Sequence, residues 1–509
     1  ENVYSWNKAA HVLYIDSPRR VGFSYQNLTE NDDEEWDDDK TASDAYLAIE
    51  DFFTIFPDFK KHAFYTSGES YCGVYVPLIT AYLVNEINAK NSTIKLAGMM
   101  IGNGELSFVQ DVRSTPSFAY YHGMVGKAEY DSVSDCCPGD DTIGGLYCHY
   151  DDYINPLGWQ PRPGLNETYD ACAKKIRKLL DGPPGYEDMN DQYNLYQDCY
   201  ALPAETTSEN RSTMKERVMM RRRPRPSSRL AAEQPQQQKS SVAFNNFNPV
   251  STDNNGGFYC YMDDATENYL NQPHVRSAIH VPDYVQRWES CSDLVGKHYE
   301  KLYEDMSEAF ETIMTARFNM RALIYNGDVD FVCHFMQAQW FVNALSRNDA
   351  WLENPREEWL YKGVIAGYHT YYDNESFPPM NFNLDLVTIK GAGHYVPMDR
   401  PGPALQMITN FLNGQDFSRV DYSKPVPFSL ERKPLLPQYT RKGVPVDSAT
   451  PSTVPSPEAT STATPSPSPS SSSKPTSIAP PSTTSIGRMT ASIPSTSIVL
   501  SIVALIIFH

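Results

Sequence analysis

The stretch that most restricts how this chain can fold is Gly68-Glu69-Ser70-Tyr71-Cys72-Gly73. Ala63-Phe64-Tyr65-Thr66 before it is a short apolar run that predicts a buried strand, and Tyr75 to Ile87 after it carries helical apolar spacing. A serine at such a junction sits on a sharp turn, its hydroxyl exposed and the N-terminus of the helix facing any developing negative charge. Glycine usually stands two residues after the serine in a turn of this kind. Here Cys72 holds that place and Gly73 follows, so the turn must tolerate a small side chain. A Gly-x-Ser turn alone specifies little, and its meaning depends on partners elsewhere.

Two later junctions supply them. Arg321 to Tyr325 predicts a strand running into Asn326-Gly327-Asp328-Val329-Asp330, and Leu384 to Ile389 predicts one that empties into Gly391-Ala392-Gly393-His394-Tyr395-Val396-Pro397. The order serine, acid, histidine is that of α/β-hydrolases, and each candidate falls just past the C-terminal end of a strand, where open parallel sheets place their sites. Serine is a poor nucleophile near neutral pH until an imidazole takes its proton, and a carboxylate then fixes the tautomer of that imidazole. Asp328 competes with Asp330 for the third role. His334 competes with His394 for the second, but flanking glycines and a feeding strand favour His394.

Gly-Glu-Ser-Tyr around Ser70, Tyr-Asn-Gly-Asp-Val-Asp ending at Asp330 and Lys-Gly-Ala-Gly-His-Tyr-Val-Pro around His394 together resemble the serine carboxypeptidases (peptidase S10), most closely the lysosomal cathepsin A-like branch. Val12 to Pro18, Val21 to Tyr25, Ile101-Gly102-Asn103-Gly104 and Phe118 to Gly123 add matches, and the resemblance spans roughly residues 1 to 415. It implies an α/β-hydrolase fold with a large inserted cap, and release of C-terminal residues from peptides through an acyl-enzyme. Ser70 is then the nucleophile, His394 the base and acid, and Asp330 its orienting partner. The N–H of Tyr71 is expected to be an oxyanion donor, and Glu69 resembles the family's glutamate that helps bind the substrate's terminal carboxylate. Two acids hold a carboxylate only by sharing a proton, which gives a preference for acidic pH a physical basis. The same family includes acyltransferases, and a non-catalytic role stabilising other lysosomal proteins is the alternative from another class; the complete triad argues against the latter.

The chain has 509 residues, a formal charge of −20, a pI near 5.0 and 12% aromatics, enough for a large core and of the wrong sign for a nucleic-acid partner. By the resemblance, a Trp-Leu-Asn-Gly-Gly-Pro-Gly-Cys-Ser-Ser segment with the second oxyanion donor precedes Glu1, so the natural protein is expected to begin earlier. Nine cysteines stand beside five sequons at Asn27, Asn91, Asn166, Asn210 and Asn374, which indicates an oxidising secretory route, lysosomal or extracellular. The resemblance pairs Cys136 with Cys172, Cys137 with Cys148 and Cys199 with Cys260, leaves Cys291 without its partner, and makes Cys72 and Cys333 free thiols. A metal cluster of Cys136, Cys137, Cys148 and His149 lacks a standard zinc spacing, and no metal or cofactor is expected.

Residues 1–107 and 315–416 read as the two parts of the hydrolase core, with 108–314 as the cap between them. The acidic run Glu30 to Asp39 precedes a helical stripe from Ala42 to Phe56 and reads as a solvated helix start rather than a calcium site. Arg19 and Arg20 read as surface residues, with a substrate subsite as the alternative. Within the cap, residues 206–257 are polar and contain Met220-Arg-Arg-Arg-Pro-Arg-Pro226, read as an exposed loop for proteolytic trimming. Residues 417–440 form a tail and 441–497 a Ser/Thr/Pro-rich stalk, followed by an apolar end at 498–509 that is short against the ~20 residues of a membrane span. That end matches a GPI-attachment signal with Ser485 or Gly487 upstream, with a marginal tail anchor or a hydrophobic end of no function as the alternatives. Peptides with a free C-terminus are the expected partners, and a homodimer is compatible with the sequence.

Overall fold

Parallel strands in the middle of a sheet are covered by helices on both faces, so their residues must be apolar on both sides rather than alternating with polar ones. That pattern organises this molecule. The structure, a computed structural model, describes residues 2–137, 148–164, 166–181, 191–197, 264–346, 352–373, 381–419 and 502–508. Cys199, Cys260, Asn210, Asn374, Ser485, Gly487, the 206–257 loop and the stalk lie outside them. All the described residues belong to one unit, Glu1–Arg432 with Ser497–His509.

The sheet contains β1 (His11–Asp16), β2 (Ala63–Ser70), β3 (Leu96–Gly104), β4 (Met320–Gly327), β5 (Glu357–Tyr361), β6 (Val364–Asp373), β7 (Phe382–Ile389) and β8 (Ile502–Phe508). Their order is β1-β8-β2-β3-β4-β7-β6-β5, with Leu352–Glu353 also pairing on β6. β2, β3, β4 and β7 run parallel, whereas β6 turns back antiparallel on β7 and β5 on β6. Successive side chains of the parallel strands feed opposite faces. Met99, Ile101, Ala322, Ile324, Leu384 and Leu386 join one core, and Met100, Leu323, Tyr325, Val387 and Ile389 join the other.

The first core is closed by α1 (Asp38–Ile55), α2 (Cys72–Asn88), α6 (Ser307–Met314) and α7 (Phe335–Ser346), and the second by α9 (Pro401–Asn413). The Ala42, Ala45, Ile49 and Phe53 stripe of α1 is buried, and Gly414 ends α9 in the left-handed conformation at φ 61° that glycine permits. α6 lies in the stretch read as cap, yet its Phe310 and Ile313 are buried in the main core beside α2.

The acidic run is tied down on its surface. Asp37 caps α1 by accepting from the Lys40 N–H at 2.7 Å, while Arg19 meets Asp33 at 3.1 Å and Asp44 at 3.0 Å and lies over the Trp36 ring. Arg20 pairs with Glu34. Both arginines therefore clamp the acidic loop. Asp38 departs from the solvated reading: it is fully buried.

In the cap, α3 (Phe108–Tyr121), α4 (Lys127–Ser134) and α5 (Glu167–Leu180) enclose a separate core of Val112, Phe118, Val133 and Ile176. Cys136 is bonded to Cys172 and Cys137 to Cys148 across it. Cys72 and Cys333 are buried and Cys291 is half-buried, all three outside the disulfides seen among the described residues. Asn27, Asn91 and Asn166 are exposed. No helix among the described residues is long and apolar enough to cross a membrane. Residues 502–508, within the apolar end, form β8, antiparallel to both β1 and β2.

Candidate active site

The C-terminal ends of β2, β3, β4 and β7 lie side by side, and each delivers one polar residue to the same edge. Ser70 closes β2 with φ 64°, a left-handed conformation that costs a non-glycine residue energy and throws its side chain out of the strand. Its carbonyl accepts from the Glu105 N–H at 2.9 Å, which pins the turn to the end of β3. Tyr71 then caps α2, whose first N–H groups have no partner inside the helix. The substitution of cysteine for the usual glycine has a local explanation. A Cβ on Gly68 would lie 2.3 Å from the Cys72 Cβ, so the glycine before the serine makes room for the cysteine after it. Gly73 is equally constrained, for its Cβ would fall 2.3 Å from the Glu105 backbone nitrogen.

Asp330, three residues past β4, is fully buried and takes four donors. Its Oδ2 accepts from Asn103 Nδ2 at 2.8 Å, the Cys333 N–H at 3.2 Å and His394 Nδ1 at 2.8 Å, and its Oδ1 from the Val332 N–H at 2.9 Å. Asn103 in turn accepts from the Gly327 N–H at 3.0 Å, so β3 fixes the start of the acid loop. Asp328 points elsewhere: it accepts from the Gly391 N–H at 2.7 Å and holds the histidine loop, not the imidazole.

His394 is fully buried, with its Nδ1 on Asp330 and no partner for Nε2 among the described residues. Burial alone lowers its pKa, but the charge and hydrogen bond of Asp330, with Glu69 and Asp399 beyond, outweigh burial and hold it above the ordinary value. His334 is differently used. It stacks on Phe118, contacts Thr115 at 3.1 Å and Asp111 at 3.4 Å, and burial lowers its pKa to about 3.

Glu69 is partly buried, and burial pushes its pKa up to about 7; the charges of Asp330 and Asp399 raise it further while His394 opposes them. A neutral carboxyl in that position can donate a hydrogen bond to an anionic ligand.

Several contributors escaped the sequence reading. The Tyr71 hydroxyl donates to Asp38 at 2.8 Å, and Asp38 also takes the Tyr299 hydroxyl at 2.7 Å and the Leu302 N–H at 2.7 Å. Asn103 lies in the Ile-Gly-Asn-Gly motif, which was visible but carried no assigned role. Glu105 is buried, bonded to Gln337, and raised by burial to about 7. The segment 191–197 reaches the histidine loop from the cap, with the Tyr193 carbonyl accepting from the His394 N–H at 2.6 Å.

A sheet with parallel central strands between helical layers, with a strained serine at the C-terminal end of one strand and a histidine–carboxylate pair on neighbouring loops, is an α/β-hydrolase. Residues 1–414 match the family described as serine carboxypeptidase, and the chain belongs to that family. It is 32% identical over 426 residues to serine carboxypeptidase ctsa-4.1 of Caenorhabditis elegans, covering 82% of this chain and 77% of the relative. It is also 30% identical to the lysosomal protective protein of Mus musculus, again covering 82% and 77%. Among solved structures it is similar to Kex1(delta)p, a prohormone-processing carboxypeptidase from Saccharomyces cerevisiae, at 17% identity with a TM-score of 0.49, covering 78% of this chain and 73% of the other. The protein is thus a serine-type carboxypeptidase acting on peptides with a free C-terminus.

Proposed function

We propose that Ser70, His394 and Asp330 carry the reaction, with Glu69 reading the substrate's terminal carboxylate at acidic pH. The carrying observation is the 2.8 Å bond from His394 Nδ1 to Asp330, which leaves Nε2 without a partner among the described residues at the edge where Ser70 sits at φ 64°. His394 takes the Ser70 proton as the hydroxyl attacks the last peptide carbonyl, and passes it to the leaving amino acid. The Tyr71 N–H faces the oxyanion at the start of α2. Water then cleaves the acyl-enzyme by the same route.

Glu69 supplies the pH dependence. Its pKa is raised from 4.5 to about 7, so below that value it is protonated and donates to the substrate carboxylate. Above it, two negative charges face each other and peptide binding weakens. The test is release of single amino acids from blocked dipeptides at pH 5 and pH 7 by the full chain and by Ser70→Ala, with fluorophosphonate labelling in parallel. Release favouring pH 5 and lost with labelling in Ser70→Ala is expected. Undiminished release from the variant would overturn the assignment.

The chain works in the secretory pathway, as a lysosomal or extracellular enzyme. Exposed sequons at Asn27, Asn91 and Asn166, two disulfides and the lysosomal relative support this. Attachment to a membrane through the C-terminal end would withdraw residues 502–508 from β8. Release of the protein from cells by a phosphatidylinositol-specific phospholipase tests that use, and retention in the cell-surface fraction counts against it.

A further inference from the structure

We propose that the strap Asp191–Gln197 positions the acid and the base of the triad together, with Asn194 and Asp399 as its positioning pair; this rests on the assignment of Ser70, His394 and Asp330 above. The strap bonds to main chain on both sides of Asp330. The Phe331 N–H donates to the Gln192 carbonyl at 2.9 Å, and the Leu195 N–H to the Val329 carbonyl at 3.0 Å. Between those two contacts, the Tyr193 carbonyl takes the His394 N–H at 2.6 Å. One short run of turns therefore sets the offset between two loops whose side chains must meet at 2.8 Å.

The approach is close enough to dictate sequence. A Cβ on Gly393 would lie 2.1 Å from the Tyr193 carbonyl oxygen, so only glycine lets the histidine loop come this near. The Tyr193 ring meets the His394 ring edge-on at 4.7 Å and stacks on Tyr395 at 5.8 Å.

Asn194 and Asp399 lock this arrangement from the side. Asn194 uses both ends of its amide: Oδ1 accepts from the Tyr196 N–H at 3.1 Å within the strap, and Nδ2 donates to Asp399 Oδ2 at 3.0 Å. The same Asp399 oxygen takes the Gly393 N–H at 2.7 Å, one residue before the base. Asp399 is buried and sits on the short α8 (Val396–Asp399), so a single carboxyl oxygen joins strap, loop and helix. Asp191, Asp330, Glu69 and His394 face it within electrostatic reach, while Arg400 turns to the Lys390 carbonyl.

This arrangement predicts two effects. Loss of the pair lets the loops drift, and misplacement of ~1 Å costs on the order of 100-fold in rate. Loss of the Asp399 charge also removes one of the influences that raise the His394 pKa, so the base becomes neutral at lower pH. A packing role would produce the first effect at most.

The experiment is the rate of fluorophosphonate labelling from pH 4 to 8 in the full chain. This probe carries no terminal carboxylate, so proton sharing between Glu69 and a substrate carboxylate does not enter the reading, and the charge of Glu69 acts on His394 alike in wild type and in each positioning variant. Wild type is compared with Asn194→Ala, Asp399→Asn, the double variant, Ser70→Ala and His394→Ala. Each positioning variant is expected to lower the plateau rate about 10- to 100-fold, with the double no worse than the more severe single. The acid limb of Asp399→Asn should move to lower pH. Plateau rates within threefold of wild type, multiplying losses in the double variant, or an unmoved acid limb would overturn the proposal. Asp399→Asn keeps the side-chain shape, so its acid limb decides the matter even if Asn194→Ala does not fold. Labelling that survives in Ser70→Ala or His394→Ala would instead remove the triad assignment itself.

Discussion

Two carboxyl groups flank His394 in opposite settings. Asp330 is fully buried but takes four donors, three on one oxygen, and it grips the imidazole. Glu69 is less buried, next to the same imidazole, and its pKa rises to about 7. Burial therefore does not by itself decide what a carboxyl does in this site; the supply of donors decides. In the proposed reaction one group orients the base, and the other is kept ready to give a proton to an anion.

The sharpest break of that contrast is Asp330→Asn, which keeps the shape but offers the histidine loop an amide. Rates of amino-acid release should fall about 10⁴-fold. A fall of less than tenfold would mean that Asp328 or another group orients the imidazole. Glu69→Gln should act mainly through pH. The amide donates at every pH, so the loss of kcat/KM that wild type shows above pH 7 should flatten, a difference of about tenfold one unit above the pKa. A variant that keeps the wild-type decline would remove Glu69 from the proton-sharing account. Asp328→Asn should cost only about threefold in kcat, since the amide oxygen can still accept from the Gly391 N–H.

The smallest effect is on folding. Glu69 and Glu105 both have pKa values raised from 4.5 to about 7. Between those values the folded state binds more protons than the unfolded chain, so stability is full below about pH 4.5 and declines as pH rises toward 7. Thermal midpoints should be a few degrees higher at pH 5 than at pH 7.5, and Glu105→Gln should reduce that difference. A midpoint that climbs with pH in wild type would contradict the assignment of these two groups.

What could be read from the sequence were features in which a strand and its loop are contiguous. The runs ending at Ser70, Asp330 and His394 each carry their own punctuation, and β2, β4 and β7 formed where the apolar runs lie. What could not be read depends on distant partners. Asp38 sits in an acidic run whose charge pattern already explains a helix start, and only Tyr71, Tyr299 and Leu302, far along the chain, reveal that it is buried. Asn194 and Asp399 lie 205 residues apart, and the strap occupies an irregular stretch with no periodicity to mark it. Residues 502–508 carry an apolar run of strand length, which a hydrophobic tail fits equally well.

The Asp38 contact also limits how the surface can be engineered. Recharging the acidic run is an obvious route to a more soluble or less acidic protein, and Asp32, Glu34 and Glu35 have no shared duty with the reaction centre. One position in the same run differs. Asp38 accepts from the hydroxyl of Tyr71, the proposed oxyanion donor, so a charge swap there would be made on what looks like a solvent-facing helix and be felt at the proposed reaction centre. A library that varies the run while holding Asp38 fixed should keep far more active members than one that varies all of it.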